Sequence, residues 1–407
     1  MAKTLLIISG GVEAAHAIRR AKDLGIYVVV SDINPEAPGF AMADSILIAD
    51  VYGPDSTAAA AERYHRKIRK IDGVICVAAD APLTVAAVNE RLGLKGISRE
   101  SAELACDKLA MKRRFVERGV PVPWFAPVET PQALLRVVAE RGRELVIKPA
   151  DSRGSRGVQR LSLVEDIPQA FLAAHQFSPT GRVMVEQYLD GPQISTESVV
   201  IDGACHTPGF SDRNYEYLER YAPYFIENGG DLPSHLQQQV QESVKQVVGR
   251  AAAALGVTNG TVKGDIVVHQ GKVHVIEMAA RLSGGYFCTR EIPLNTGVDF
   301  IGSAIRIALN EPVTADELRP KFNRHVIQRY AFPAPGRITK ISGARDAAEI
   351  PGIEEVLVTA KVGDVVRHPC DSNCSAAMVL ACADTRDAAL ESARKALETL
   401  KIETVAA

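Results

Sequence analysis

The chain of 407 residues lacks the features that mark several large classes of protein. No apolar run approaches the roughly 20 residues that cross a bilayer, and the N-terminal run Leu5–Ile8 is too short for the core of a secretion signal. The formal net charge is only -2, so there is no excess of positive charge to attract nucleic acid or an anionic membrane. We therefore expect a cytoplasmic protein that binds neither.

The cysteines do not predict a disulfide framework. There are seven of them, an odd number in irregular spacing, which is typical of reduced thiols. Cys370 and Cys374 form the only close pair, and neither a second pair nor a histidine motif accompanies them. A structural role is therefore favoured over a metal site.

The composition is that of a globular protein with more than one core. Apolar residues make up 46% and charged residues 24%, and the length predicts two or three packed subdomains. In the first hundred residues, continuous apolar strand patterns alternate with helical ones, which predicts a parallel sheet covered on both faces. The predicted strands are Thr4–Ile8, Tyr27–Val30, Ser45–Ile48 and Gly73–Val77, and the predicted helices are Glu13–Lys22 and Thr57–Lys70.

The remainder of the chain shows a different pattern. A helix is predicted from about Ser101 to Arg118, ending at Gly119. Hairpin-like strand patterns and a long helix near Leu236–Leu255 follow as far as Glu311, and the short turns between the strands favour antiparallel pairing. From about Phe332, strands and a final helix, Thr385–Leu400, indicate a small α+β cap.

The glycines near the N-terminus have two interpretations. Ser9-Gly10-Gly11 follows a strand and opens a helix, and Asp32 ends the next strand, as in a dinucleotide site. The G-x-G-x-x-G spacing is absent, however, and Glu13 in the first helical turn would repel a pyrophosphate. We therefore prefer to interpret these residues as a tight strand-to-helix turn. The alternative function, a nicotinamide-dependent oxidoreductase, is indicated by these residues alone.

A lysine-bearing strand and the loop after it suggest phosphate binding. Leu145–Pro149 is an apolar strand that carries Lys148, and the loop Asp151–Gly157 follows it. Glycines and hydroxyls in such a loop allow backbone N–H groups to turn toward phosphate oxygens. It is not a P-loop, because no G-x-x-x-x-G-K-[ST] occurs, and a flexible hairpin turn is the alternative.

A predicted hairpin carries two carboxylates suited to magnesium. Asp265 and Glu277 lie on alternating strands that meet at the turn Gln270-Gly271, and Mg²⁺ favours a few carboxylate oxygens together with phosphates. With a strict two-residue turn, Asp265 would pair with Ile276, and the two carboxylates would face opposite ways. One metal site therefore requires a bulge, and a solvated acidic pair is the alternative.

Taken in order, these segments, with Lys108 before them and the strand Val183–Gly191 between them, resemble the ATP-grasp superfamily of carboxylate–amine ligases. The resemblance is strongest to its biotin carboxylase-like and L-amino acid ligase-like branches. It implies a mixed α/β and α+β fold with a parallel-sheet domain (1–100), an ATP-grasp domain (101–320; small lobe about 124–185, large lobe about 186–320) and an α+β cap (321–407). It also implies the cofactors ATP and Mg²⁺ or Mn²⁺, with a small-molecule carboxylate and amine as substrates.

The resemblance assigns roles to matching positions. ATP would be bound by Lys108, Lys148, Ser152, Gly154, Ser155, Gly157, Glu186, Gln187, Leu189, Gln193 and Met278. The metal would be bound by Asp265 and Glu277, and catalysis would use Arg281, Ser283, Gly284 and Gly285. Two positions depart from the family pattern: Ala279 replaces an asparagine that often helps to hold a second metal, and Gln193 replaces a ribose-binding glutamate.

The substrate side is less defined by the sequence. Between the ATP-binding segments lies a stretch rich in tyrosine and charged residues. In this stretch Arg213 could bind the carboxylate of a substrate and Glu227 its amine, and Arg281 is a third candidate for substrate binding. That the stretch is only a surface loop is an equally weighted alternative. A bicarbonate- or formate-using ATP-grasp enzyme and a non-catalytic nucleotide sensor remain open. The oligomeric state is not determined, with a homodimer as one option.

Overall fold

The computed structural model describes residues 2–371 and 374–406, which fold into two compact units. The first unit comprises residues 1–122, 195–210 and 236–322, and the second comprises 123–194, 211–235 and 323–407. The mixed α/β architecture expected from the sequence is confirmed. The three-domain division of the chain stays a prediction. No helix in the described ranges is long and apolar enough to span a membrane.

The first unit begins with a four-stranded parallel sheet. Its strands, in spatial order, are Ser45–Ile48, Tyr27–Asp32, Thr4–Ile8 and Gly73–Cys76. All five residues of the Thr4–Ile8 strand are buried, because helices cover the sheet. These helices include Ala14–Asp23, Pro54–Lys67 and Pro82–Leu92. The strands and helices predicted for this region are therefore confirmed, with small shifts of their ends.

The predicted helix from Ser101 to Arg118 is wrong as a single element. The chain forms two helices, Arg99–Cys106 and Lys108–Glu117. Asp107 separates them in an extended conformation, and its side chain accepts hydrogen bonds from the N–H groups of Leu109 and Ala110. Such capping satisfies the first N–H groups of a helix. Lys108 is therefore the first residue of a helix rather than an interior one.

The first unit also holds an antiparallel hairpin and the elements packed around it. The hairpin strands are Gly260–His269 and Lys272–Ala279. The strands Gln193–Ile201 and Ala204–Arg213 continue the same sheet, and most of their residues belong to this unit. The helix Gln238–Ala254 packs against the hairpin. The remaining helices of this unit are Ile292–Thr296 and Phe300–Ala308, with shorter helical turns at Pro38–Met42, Phe287–Glu291 and Ala315–Leu318.

The second unit contains three groups of antiparallel strands. The first group is Phe125–Val128, Val183–Gln187, Leu145–Pro149 and Gln159–Arg160, covered by the helices Pro131–Arg141 and Ile167–Gln176. The second is Gly230–Leu232, His325–Ala331, Ala377–Ala383 and Ile353–Val358, covered by Ala344–Ala348 and Arg386–Thr399. The third is Val365–Val366, Gly336–Ser342 and Lys401–Val405. The expected antiparallel pairing and α+β tail are confirmed.

Candidate active site

The hairpin of the first unit brings two carboxylates to the same position. Its tip, Gln270-Gly271, has positive φ at both residues, as a tight two-residue turn requires. The register changes between Asp265 and Ile266, so that Asp265 pairs with Glu277 instead of Ile276. A β-bulge thus aligns the two predicted metal ligands.

Each of these carboxylates is paired with a lysine. Lys108 Nζ lies 2.9 Å from Glu277 Oε1, and Lys263 forms an ion pair with Asp265. Burial on its own lowers the pKa of Lys108, but the Glu277 carboxylate outweighs this, and the net shift is upward. Lys108 therefore keeps its charge although it is only 8% exposed. Two carboxylates with two ammonium groups can bind a divalent cation and polyphosphate oxygens.

Arg281 lies two residues beyond the same strand and is held by Asp80. Its Nε atom donates to Asp80 Oδ1 at 2.7 Å. Burial on its own lowers the pKa of Arg281, but the neighbouring carboxylates, chiefly Asp80 and then Glu197, raise it, and the net shift is upward. The guanidinium is therefore a fixed positive charge in a largely buried position.

Two carboxylates hold the segment from Ser283 to Tyr286, through contacts that the sequence did not indicate: Glu197 is buried and Glu13 is half-buried. Glu197 is completely buried, and its Oε1 atom accepts a hydrogen bond of 3.0 Å from Ser283 N–H. Burial raises the pKa of Glu197 to about 7. Glu13 accepts from the N–H of Tyr286 at 3.1 Å, and burial raises its pKa as well. Glu197 is the only charged residue of the strand Gln193–Ile201, and a lone glutamate inside a strand was a signal that could have found it.

The N-terminal glycine turn is tight, as the preferred interpretation expects. Gly10 N–H donates to Asp32 Oδ2 at 2.8 Å, and a Cβ on Gly10 would lie 3.0 Å from Ala37 Cβ. Asp32 thus closes the turn. Glu13, which the sequence placed only in this turn, instead binds the segment after Arg281.

In the second unit, Lys148 pairs with Glu186 across neighbouring strands. Both side chains are buried, at 4% and 3% exposure. The loop after Lys148 has positive φ at Gly154, Ser155 and Gly157. A Cβ on Gly157 would lie 3.1 Å from Ala174 Cα, so this glycine allows the loop to pack on a helix. Backbone N–H groups in such a conformation form an anion-binding concavity.

The segment predicted to border the adenine lies at the end of the strand Val183–Gln187. Gln187 N–H donates to Trp124 O at 2.8 Å, and Tyr188 N–H donates to Glu144 O at 3.0 Å. Leu189 is buried, whereas Gln193 is half-buried. In the first unit, Met278 is completely buried, and its N–H donates to Met111 Sδ. The proposed roles of these residues stay predictions.

The two residues predicted to bind the substrate's charged groups bind each other. Arg213 and Glu227 form an ion pair. A second network in this unit was missed: Asp231, which is 6% exposed, accepts from Arg329 at 2.6 Å and also from Arg386. Three residues so far apart in sequence give no local pattern, so nothing in the sequence pointed to them.

The seven cysteines are free thiols. Cys370, Asp371 and Cys374 place one ligand atom each within 4.8 Å of one another. Residues 372–373, which separate Asp371 from Cys374 in the sequence, lie outside the described ranges.

Two family models match the chain. Residues 105–285 match an ATP-grasp domain, and residues 329–405 match the L-amino acid ligase C-terminal domain 2. The matches fall on the hairpin, on the lysine strand and loop, and on the C-terminal α+β region.

Sequence relatives agree with these matches. The chain is 27% identical over 411 residues to the uncharacterized protein y4rH of Sinorhizobium fredii, covering 98% of this chain and 83% of that protein. It is 31% identical over 199 residues to a D-alanine–D-alanine ligase of Gloeobacter violaceus, covering 46% of this chain and 63% of that ligase.

Solved structures show the same fold. An L-amino acid ligase from Bacillus licheniformis has a TM-score of 0.80 at 20% identity, covering 99% of both chains. A biotin carboxylase from Campylobacter jejuni has a TM-score of 0.73 at 21% identity, covering 100% of this chain and 93% of the other. At these identities the likeness concerns the fold alone.

Proposed function

Because this chain carries an ATP-grasp domain followed by an L-amino acid ligase C-terminal domain, we propose that it is an ATP- and magnesium-dependent ligase. It activates a substrate carboxylate as an acyl phosphate, couples it to an amine with an amino acid as the expected substrate, and releases ADP. The alignment of Asp265 with Glu277 carries the proposal, since two carboxylates on one hairpin position fit the donor set of magnesium.

The residues supply the parts that phosphoryl transfer needs. Magnesium held by Asp265 and Glu277 would neutralise charge on the triphosphate. Lys108 and Lys148 bind phosphate oxygens, and the loop Gly154–Gly157 adds backbone N–H groups. Positioning and charge neutralisation dominate this chemistry, because the transferred phosphoryl group carries charge on all its equatorial oxygens.

The second half-reaction uses the residues around Arg281. The amine attacks the acyl carbon of the acyl phosphate, the carbonyl oxygen becomes an oxyanion, and inorganic phosphate leaves. The fixed charge of Arg281 stabilises that oxyanion, together with the segment Ser283–Gly285. Glu197 accepts from Ser283 N–H and Glu13 accepts from the N–H of Tyr286, the next residue after the segment, so the segment is placed before the substrate arrives.

ADP formation by the purified protein tests the proposal. ATP and magnesium are supplied with pools of amino acids, each with and without bicarbonate. ADP that rises only with particular amino acids, independently of bicarbonate, supports an amide- or peptide-forming ligase. A requirement for bicarbonate would transfer the protein to the carboxylase branch. ATP binding without turnover in any pool would favour a nucleotide sensor.

A further inference from the structure

The phosphate loop (residues 151–157) begins with a carboxylate, Asp151, to which no role has been given. Its side chain is only 11% exposed, although aspartates are mostly exposed in folded proteins. The carboxylate contacts a turn (residues 178–182) that joins the helix Ile167–Gln176 to the strand Val183–Gln187. The loop, the turn and both elements belong to the second unit, so Asp151 ties two parts of that unit together.

Both oxygens of the Asp151 carboxylate accept hydrogen bonds from the turn. Oδ1 accepts from Ser178 Oγ at 2.5 Å. Oδ2 accepts from the Thr180 N–H at 3.2 Å and also from the Thr180 hydroxyl, and the Arg182 guanidinium lies 3.7 Å from Oδ2. Hydroxyl, amide and guanidinium donors therefore compensate a carboxylate that is largely withdrawn from water.

The turn that receives Asp151 is itself braced. Arg182 N–H donates to Ser178 Oγ at 2.8 Å, and Arg182 Nε donates to Thr180 Oγ1 at 2.8 Å. Ala150 N–H donates to Arg182 O at 2.9 Å, directly beyond the strand that bears Lys148. The first residue of the phosphate loop is therefore held on a fixed support beside that strand.

The far end of the phosphate loop is fixed against the same helix. A Cβ on Gly157 would lie 3.1 Å from Ala174 Cα and 3.1 Å from Phe177 Cδ2, and the φ of Gly157 is +73°. The loop is thus attached at residues 151 and 157, and residues 152–156 span between these attachments. A loop that is held in place before binding loses less conformational entropy when a ligand orders it.

We infer that Asp151 is a positioning residue for the nucleotide: it holds the start of the phosphate loop on the turn, so that the backbone N–H groups of the loop are placed for phosphate oxygens. Asp151 does not bind phosphate itself, because its oxygens accept from the turn and a carboxylate repels phosphate. The role toward ATP rests on the proposed function, whereas the attachment of the loop does not.

Limited trypsin cleavage of the full-length protein without ATP tests the attachment. Arg153 and Arg156 are trypsin sites within the loop, and cleavage there requires local opening of the chain. Asp151→Ala should raise the rate of cleavage after both arginines about tenfold, since the buried hydrogen bonds of the carboxylate are lost. Asp151→Asn keeps the shape and one acceptor oxygen, so its rate should lie between those of the natural protein and Asp151→Ala.

Asp166→Ala is the matched control for a general loss of stability. Asp166 accepts from the Gln169 N–H at the start of the same helix, and removal of such a cap destabilises a helix. The variant should therefore lower the Tm without changing the rate of cleavage after Arg153 and Arg156, which mass spectrometry of the fragments measures.

ATP binding tests the consequence for the nucleotide. In calorimetry with ATP and magnesium, Asp151→Ala should bind ATP about tenfold more weakly, Asp151→Asn should recover part of the affinity, and Asp166→Ala should bind as the natural protein does. In ADP formation the KM for ATP should rise about tenfold in Asp151→Ala, while kcat at saturating ATP stays within about twofold, since binding rather than the chemical step is impaired.

Three results would overturn the inference: equal cleavage of the natural protein and Asp151→Ala, equal acceleration of cleavage in Asp166→Ala, or natural ATP affinity in an Asp151→Ala protein whose loop is cleaved faster. The proposed function fails in a different way, if no amino acid stimulates ADP formation by the natural protein. Faster cleavage and weaker ATP binding in Asp151→Ala would then still establish the positioning role.

Discussion

Asp265 and Glu277 lie directly opposite each other because the strand Lys272–Ala279 carries one extra residue between Val275 and Glu277. Regular pairing from the turn Gln270-Gly271 would have placed Ile276 there. The bulge therefore reconciles a tight turn with two carboxylates at one position, and it does so within a few residues.

Neutralising either carboxylate should abolish magnesium-dependent turnover. Asp265→Asn and Glu277→Gln keep the shape of each side chain and remove the charge that a hard cation requires. ADP formation should fall at least about a hundredfold, as removal of about 2.7 kcal/mol of transition-state stabilisation would produce. Titration of magnesium against ADP formation measures the loss. Glu242→Gln, in an exposed pair with Lys245, is the control, and equal activity in all three variants would remove the hairpin from metal binding.

Arg281→Ala should reduce turnover and leave ATP binding nearly intact, because the proposed function places Arg281 at the acyl group and not at the nucleotide. The loss of one oxyanion-stabilising group costs about 10²–10³ in kcat. Steady-state ADP formation and ATP titration measure the two effects. Arg20→Ala breaks another arginine–aspartate pair, with Asp299 at the surface, and should change neither. A parallel loss of ATP affinity in Arg281→Ala would contradict the assigned role.

Variants of the ion pair Lys148–Glu186 should distinguish an effect on stability from an effect on nucleotide binding. Lys148→Met removes the charged partner of a buried carboxylate, which typically costs about 3–5 kcal/mol. The double variant Lys148→Met/Glu186→Leu buries two apolar groups and should recover most of the Tm. ATP affinity should remain low in both variants, since the ammonium group that we propose binds phosphate is absent. A double variant that binds ATP as the natural protein does would exclude Lys148 from the site.

Glu197 should make stability depend on pH. Its pKa is about 7 in the folded protein and 4.5 as the reference for an exposed glutamate. Below pH 4.5 the Glu197 side chain is protonated in both the folded and the unfolded protein. Between pH 4.5 and pH 7 it ionises in the unfolded chain but stays protonated in the folded protein, and this stabilises the unfolded chain. The natural protein should therefore lose up to about 3 kcal/mol relative to Glu197→Gln across this range. Urea unfolding of both proteins at pH 5 and pH 8 measures the difference, and a constant difference would show that Glu197 does not hold its proton.

Local pattern predicted much of the fold. Thr4–Ile8 and the hairpin strands are apolar or alternating runs whose ends are marked by turn residues, and the structure forms them where the sequence indicates. The helix break at Asp107 was missed, although aspartate is a preferred capping residue, because the helical pattern continues on both sides of it.

The site was less predictable, because its contacts join distant parts of the chain. Glu197 meets Ser283 across 86 positions, and Glu13 meets Tyr286 across 273. Nothing in the sequence near Glu13 indicates its partner, so a carboxylate that supports the segment after Arg281 was interpreted only as part of a glycine turn. Such contacts are determined by the packing of separate elements.

The bulge lies between the hairpin's exposed tip and its carboxylates, and this gives the tip and the paired residues next to it different tolerance to engineering. Gln270 and Gly271 are exposed, so a longer loop carrying a fluorophore or an affinity tag can replace them while the pairs from Ile266 to His269 keep the strands aligned. A single residue added to one strand between the tip and the bulge, within Lys272–Val275, would shift the register, reverse the alternation of side chains and separate Asp265 from Glu277. The tip is therefore the place to attach a reporter group that senses the site without displacing it.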